Sequence, residues 1–381
     1  MCLLLSNFGD NVKYRVNAPC WCGSGIKFKK CHRGRESAAP ITHWELDKET
    51  IKVLKPSLCV VPSELHGECS GKIVNAHTIS KSANLKKLAV DGHVYGFRPM
   101  IQTLGKNNGQ FVAEKIGVNR ASTFTGFCSH HDKKIFGEIE DEPMLFTDSQ
   151  CFKLGYRTVG REHYLKKNQL GLQAMFRTAD RGKNFAAQLE IQEFASDFFT
   201  GVTAGASDST YHKGLYDAIL LSGDYSIVKK CVLVFRRIPT VMCSGGIFPE
   251  FDFQGKVLQR LLPGGPRVGA ICFNVVATEA GGAVVFSWLD IPENKVSAML
   301  VDSLLKVPVT QITNALIRFF FEHCENTFMA PEWWEALAKP VKDALALRMT
   351  RGGSPLHERF STCLTNDGFE YDEWGFVETI R

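Results

Sequence analysis

A group of metal-ligating residue types near the N-terminus is the first feature of this chain that could do chemistry. Cys20 and Cys22 are separated by one residue, and Cys31 and His32 follow after eight more. Thiolate sulfur and imidazole nitrogen are ligands of Zn²⁺, and four of them complete its tetrahedral coordination. Two glycines between the pairs allow the tight turn that a closed site needs. The spacing therefore predicts a structural zinc, because four protein ligands leave no position open for a reacting water.

Residues 17–32 resemble the SEC-C motif, a short zinc-binding module named for the C-terminus of the SecA translocation ATPase. The resemblance includes the proline before the first cysteine, the Gly-Ser-Gly turn, the basic and aromatic residues 27–30 and the terminal Cys-His. In that family the module occurs on many unrelated proteins, usually as a docking surface. The resemblance thus implies a protein, ribosome or nucleic-acid partner, and it leaves the function of the remaining chain open.

A second group of cysteines and histidines is divided between two later segments. These segments contain Cys59, His66 and Cys69, and then Cys128, His130 and His131. Cys128 has the spacing of a ligand pair with His131, or with His130, at the start of a helix. His66 and Cys69 are the better-spaced first pair, whereas nine residues separate Cys59 from Cys69. We predict a second structural zinc at Cys59, Cys69, Cys128 and His131, with His66 as the rival to Cys59.

Together, residues 59–140 resemble the treble-clef core of the HNH endonucleases. In that family a zinc knuckle is followed by a β-hairpin that carries a histidine, and a later ligand pair stands at the head of a helix. The resemblance implies that Cys128 and His131 bind zinc, that His77 is the general base and that Asp132 binds a catalytic Mg²⁺ or Mn²⁺. A neutral imidazole can accept a proton from an attacking water near pH 7, and a carboxylate oxygen suits Mg²⁺.

Several positions depart from the HNH pattern. Ser80 stands where that family has proline, Asp132 stands where it has asparagine, and either Asn75 or Asn84 could supply the middle asparagine. His77 could instead be a zinc ligand or a structural histidine. Acidic residues are also favoured near helix N-termini, which would explain Asp132 without a metal. Two hypotheses follow: a metal-dependent nuclease, and a non-catalytic zinc adaptor that binds nucleic acid, ribosome or a protein partner.

Composition limits the class of protein. A chain of 381 residues with 44% hydrophobic and 22% charged residues is typical of a globular protein with two or three domains. No apolar run approaches the ~18 residues of a membrane span, so no membrane association is expected. Thirteen cysteines, several at zinc-type spacings, favour a reducing compartment, and we predict a cytoplasmic protein. Residues 1–150 contain 20 Lys and Arg against 15 Asp and Glu, which favours a polyanionic partner or a solvated basic face.

The elements that position these residues are predicted to form an α+β fold. We predict a zinc module over 1–40, a ββα-type treble-clef zinc domain over 45–150, and an α+β domain over 151–381 with an antiparallel sheet flanked by helices. Periodicity predicts helices over 152–167, twice within 184–222, and over 295–305, 310–325 and 332–349. Alternating or continuous apolar runs predict strands over 227–238, 268–277 and 283–289. Arg157 and Arg161 share one face of the first of these helices, where they could contact phosphates or form salt bridges.

Overall fold

The computed structural model describes residues 14–98, 101–352 and 359–381, so the first thirteen residues of the predicted 1–40 module lie outside it. In chain order its helices are α1 (Phe28–Cys31), α2 (His43–Leu54), α3 (Lys86–Leu88), α4 (Ile101–Lys106), α5 (Ser129–Glu140), α6 (Asp148–Gln169), α7 (Gln173–Phe176), α8 (Phe185–Ser222), α9 (Lys295–Leu304), α10 (Ile312–His323), α11 (Pro331–Ala336) and α12 (Lys339–Gly352). Its strands are β1 (Ile73–His77), β2 (His93–Phe97), β3 (Ala113–Gly117), β4 (Thr123–Cys128), β5 (Val228–Phe235), β6 (Val241–Ile247), β7 (Ile271–Thr278), β8 (Gly281–Leu289), β9 (Thr327–Met329) and β10 (Phe376–Ile380). The predicted α+β class is confirmed.

A large antiparallel sheet forms the centre of the molecule. Its eight strands lie in the order β10-β5-β8-β7-β6-β9-β2-β3, and each neighbouring pair is antiparallel. Along β7, Phe273 and Val275 face one hydrophobic cluster, whereas Cys272 and Val276 face the other. Burial on both faces explains why β7 and β8 are almost continuously apolar in sequence rather than alternating.

Helices cover both faces of this sheet. Leu300 of α9 and Phe319 of α10 belong to the cluster on one face. Tyr156 of α6 and Tyr216 of α8 belong to the cluster on the other face. The result is three layers, in which each apolar face of the sheet is covered by the apolar side of a helix pair.

Helix α8 differs from the prediction of two helices within 184–222. It runs without a break from Phe185 to Ser222, a length of 38 residues. Asn184 caps its start, because its side chain accepts a hydrogen bond from the amide of Ala187, and Gly223 ends it in a left-handed conformation with φ 69°. These two capping residues lie at the ends of α8, and its contacts with α6 stabilise the turns between them, so the helix continues where a break was predicted.

The central sheet includes strands from both sides of the predicted boundary near residue 150. β2 and β3 come from the predicted 45–150 domain, and β2 pairs with β9 at the register Gly96 to Phe328. β1 and β4 do not join this sheet and form a separate two-stranded sheet. The segment 78–122 therefore leaves the β1–β4 sheet, contributes two strands to the central sheet, and returns, so β1 and β4 are not the β-hairpin that the HNH resemblance implied.

Two general properties of the described chain concern its cysteines and its helices. The twelve cysteines within the described ranges form no disulfide with one another. Across those same ranges, none of the helices has the combined length and apolarity that crossing a membrane would require. The large helices instead pack against the central sheet.

Candidate metal centres

The first ligand cluster is built on a tight turn followed by one turn of helix. The amide of Cys20 donates to the carbonyl of Ile26 at 2.8 Å, which closes the loop between the two ligand pairs. Gly23 and Gly25 both have left-handed backbones, with φ 73° and 71°, which only glycine adopts without strain. Helix α1 then carries the last two ligands to the same side as the first two. The local sequence is sufficient to form this loop.

The ligand atoms of the first cluster fit a tetrahedral ion. The Nδ1 atom of His32 lies 3.2 Å from the sulfur of Cys20 and 3.1 Å from that of Cys31. The sulfurs of Cys22 and Cys31 are 3.6 Å apart, and all four ligand atoms lie within 4.8 Å of one another. Ligands around a tetrahedral zinc should be about 3.5–3.8 Å apart, given its usual bond lengths. This cluster could therefore bind zinc.

The electrostatics of the first cluster favour a cation. Burial and the neighbouring thiol of Cys22 together raise the pKa of the Cys20 thiol to about 12, although a hydrogen bond from the Cys22 backbone opposes them. Three sulfurs so close together cannot all ionise without a compensating positive charge. Zn²⁺ supplies that charge and converts the thiols to thiolates.

The second ligand cluster is assembled from three separate parts of the chain. The segment at 58–60 runs along β4, with the amide of Val60 donating to the carbonyl of Gly126 at 2.9 Å. This places Cys59 beside Cys128, the residue at which β4 ends and α5 begins. Cys69 follows a short helical turn over Ser63–Glu68. The first turn of α5 completes the set with a histidine.

His131 is that histidine, and its ring lies among the three sulfurs. Its Nδ1 atom is 3.2 Å from the sulfur of Cys128 and 3.6 Å from those of Cys59 and Cys69. His66 lies elsewhere, because its Nε2 contacts the carbonyl of Val61 at 3.1 Å. The structure thus brings Cys59 rather than His66 into the cluster, and this second group could also bind zinc.

His130 is exposed and is not a member of this four-residue set. Its ring faces the carboxylate of Glu68 at 3.5 Å.

The thiol of Cys128 is well placed to bind a metal as a thiolate. Burial opposes its ionisation, but hydrogen bonds from the backbone of His131 and Ser70 outweigh burial and lower the pKa of Cys128 to about 6. A thiol at the start of a helix is also stabilised as an anion by the helix dipole.

His77 lies outside both ligand clusters, at the end of β1. Its Nε2 atom is 3.1 Å from the carbonyl oxygen of Val118. Burial lowers the pKa of His77, and the charges of Lys81 and Arg157 act in the same direction, while the Val118 carbonyl and Glu140 oppose them. The ring is therefore neutral near pH 7, with its Nε2–H donated to the backbone.

Asp132 lies in the first turn of α5. The polar residues around it come from α5 and from α6, and the sequence predicted only part of this group. Asp132, Phe136 and Glu140 are four positions apart and share one side of the helix. Arg157 of α6 is only 3% exposed, packs over the ring of Phe136 at 5.2 Å, and forms an ion pair with Glu140. Burial raises the pKa of Asp132, and the charge of Arg157 opposes that rise.

Ser80 explains one departure from the expected motif. Its hydroxyl donates to Glu140 at 2.8 Å and accepts from the amide of Ala83 at 3.2 Å, so it caps the helical turn that follows β1. A proline at this position could make neither hydrogen bond. Glu140 itself carried no signal in the sequence, because its role depends on the approach of α6.

Replacing Cys31 by serine is expected to remove one of two zinc ions and leave the other. Serine keeps the size of the side chain but is a poor zinc ligand, and three remaining ligands hold the ion weakly. Metal analysis of the purified full chain should fall from two equivalents to one. Retention of two equivalents would contradict the first site. Ser24→Ala is the matched control, because Ser24 contacts the Cys31 sulfur at 3.4 Å without belonging to the cluster.

Comparison with known proteins gives one match. The family model of the SEC-C motif matches residues 17–34, which contain all four ligands of the first cluster. No curated protein and no solved structure matches the chain. The predicted SEC-C resemblance is confirmed, and the HNH resemblance of residues 59–140 stays a prediction. Residues 17–34 of this chain are a SEC-C motif, and its three cysteines and one histidine have the geometry of a zinc site.

Proposed function

We propose that this chain is a metal-dependent nuclease whose HNH-like centre is formed by β1, β4 and α5. The observation that carries the proposal is the position of His77 and Asp132. His77 ends β1, Asp132 lies in the first turn of the helix that follows β4, and a candidate zinc cluster lies where this two-stranded sheet and the helix meet. Both residues feel the same two charges, those of Arg157 and Glu140.

His77 has the protonation state that a general base needs. Because its Nε2–H is donated to Val118, the lone pair of the neutral ring is on Nδ1. Its lowered pKa keeps that lone pair free near pH 7. The residue can therefore accept a proton from a water that attacks a phosphodiester.

The carboxylate face of α5 supplies the remaining chemistry. Asp132 offers oxygen to a divalent ion, and Mg²⁺ or Mn²⁺ bound there would stabilise the charge on the leaving oxygen. Arg157 is almost fully buried, and its Nε atom has no hydrogen-bond partner within the described chain. Its positive charge acts on both His77 and Asp132 and would favour an anionic phosphate near them.

The surroundings of this unit suit a nucleic-acid substrate. Lys72 lies just before β1 and Arg120 lies just before β4, and both side chains are exposed. Exposed basic residues at the edges of a site bind the phosphates that flank the scissile bond.

The direct test of nuclease activity is incubation of the purified chain with plasmid DNA and with RNA, in Mg²⁺, in Mn²⁺ and without added divalent ion. Absence of cleavage in all of these reactions would contradict the proposal.

The pH dependence of cleavage follows from the lowered pKa of His77. A base must be unprotonated, so the rate should be constant above the ordinary histidine value of about 6.5 and fall only at lower pH. Single-turnover rates from about pH 5 to 9 would reveal this fall in rate at low pH, with zinc content measured at each pH. A rate that is already halved above about pH 7 would contradict His77 as the base, because its surroundings lower rather than raise its pKa.

A second candidate function is a non-catalytic zinc adaptor that binds nucleic acid, ribosome or a protein partner. The ion pair between Arg157 and Glu140 favours it, because the guanidinium already gives this carboxylate face the positive charge that a metal ion would bring. The SEC-C motif would then serve as a docking module. Binding of DNA or RNA without cleavage, in the incubations above, would favour the adaptor over the nuclease.

A further inference from the structure

The histidine of the SEC-C motif contacts a carboxylate from a distant part of the chain. His32 directs Nδ1 towards the cysteines, and its Nε2 lies 2.7 Å from Oδ2 of Asp180. Asp180 follows α7, 148 positions later in sequence, and is completely buried. It lies outside the segment that the SEC-C model matches, which ends at residue 34.

Asp180 is itself held in place by two further donors. Arg35 approaches its Oδ1 at 2.7 Å, and Gln192 of α8 donates to its Oδ2 at 3.0 Å. Arg35 also donates to the backbone carbonyl of Arg177 at 2.5 Å. A buried carboxylate is stable only when it is paired and hydrogen-bonded, and these contacts satisfy that requirement. The carboxylate therefore has a fixed position against the zinc-ligand ring.

We infer that Asp180 is a positioning residue of the first zinc site, and that zinc at this site joins the SEC-C motif to the start of α8. A carboxylate on Nε2 fixes the proton there, so the Nδ1 lone pair is directed at the metal and becomes a stronger ligand. This inference rests on the zinc site of the SEC-C motif and does not depend on nuclease activity.

Packing of the motif against the same segment supports this coupling. Trp21 meets the ring of Phe185 edge-on, with centroids 5.6 Å apart, and Phe185 is the first residue of α8. The amide of Gly182 donates to the carbonyl of Arg35 at 3.0 Å. The zinc loop, Asp180 and the first turns of α8 thus form one contact region, rather than a free module on a linker.

The second zinc site provides an internal comparison. The Nε2 atom of His131 is buried and has no hydrogen-bond partner in the described residues. Of the two ligand histidines, His32 is the one that Asp180 contacts. A substitution at Asp180 should therefore change one zinc ion and leave the other unchanged.

The test is zinc release from full-length Asp180→Asn, followed with a chromogenic chelator. Loss of an outer carboxylate typically weakens metal binding about 10–100-fold. One zinc equivalent should leave faster by roughly that factor, while the other leaves at the wild-type rate. Glu190→Gln is the control, because it removes an exposed carboxylate near the start of α8. Unchanged release of both ions, or faster release of both together, would overturn the assignment.

Hydrogen exchange tests the coupling by a route that needs no change at Asp180. In Cys31→Ser, which lacks the first zinc, amides of residues 177–192 should exchange faster than in the wild type. Amides of the central sheet should keep their protection. Unchanged exchange over 177–192 would show that the metal does not hold α8, and the coupling would be rejected.

Discussion

Replacing His77 by glutamine is expected to abolish Mg²⁺-dependent cleavage while both zinc ions remain bound. Glutamine can still donate an N–H to the carbonyl of Val118, which is the hydrogen bond that His77 makes. It has no basic lone pair, so it cannot accept the proton of the attacking water. Loss of a general base typically costs about 10²–10⁴-fold in rate. A coupled assay of cleavage, zinc content and thermal unfolding measures all three properties on one preparation.

His93→Gln is the matched control for this substitution. His93 also bonds a backbone carbonyl, with Nδ1 2.7 Å from the oxygen of Asp91, but it is exposed on β2. Its substitution should leave cleavage unchanged. Full activity in the His77 variant would contradict a base at this position. Loss of one zinc equivalent in that variant would instead make His77 a ligand, and the adaptor function would be favoured.

Replacing Cys69 by serine is expected to remove the second zinc and destabilise the segments within 59–140 that carry its ligands. The ion would tie together three segments, at Cys59, at Cys69 and at the start of α5, in addition to the pairing of residues 58–60 with β4. Structural zinc contributes roughly 10–16 kcal/mol in small zinc-binding peptides, whereas whole domains are stable by only about 5–15 kcal/mol. We therefore expect one zinc equivalent and rapid proteolysis within 59–140.

His66→Ala distinguishes this prediction from its rival. If His66 were the ligand, its loss would remove the second zinc, whereas the observed contact with the carbonyl of Val61 predicts that two equivalents remain. Metal analysis and limited proteolysis of the two variants side by side give the answer. Two zinc ions in Cys69→Ser would refute the second site.

The first zinc site could be predicted from the sequence because its ligands lie within thirteen residues. Its geometry depends on a local turn and on the left-handed conformations of Gly23 and Gly25, which the sequence specifies directly. The second site could be predicted only as a set of candidates. Cys59 rather than His66 enters that cluster because residues 58–60 pair with β4, which places Cys59 beside Cys128, 69 positions later in sequence.

The α+β class, helices α6, α9 and α10 and strands β5, β7 and β8 likewise followed from periodicity and from continuous apolar runs. What only the tertiary structure decided is how distant segments meet. Strands from before residue 150 join the central sheet, Arg157 reaches the face of α5, and Asp180 reaches His32. The contact of Arg157 forms because α6 covers one apolar face of the sheet and packs against α5 there. Local spacing specifies which residues can be ligands, whereas packing between segments far apart in sequence decides which side chains surround them.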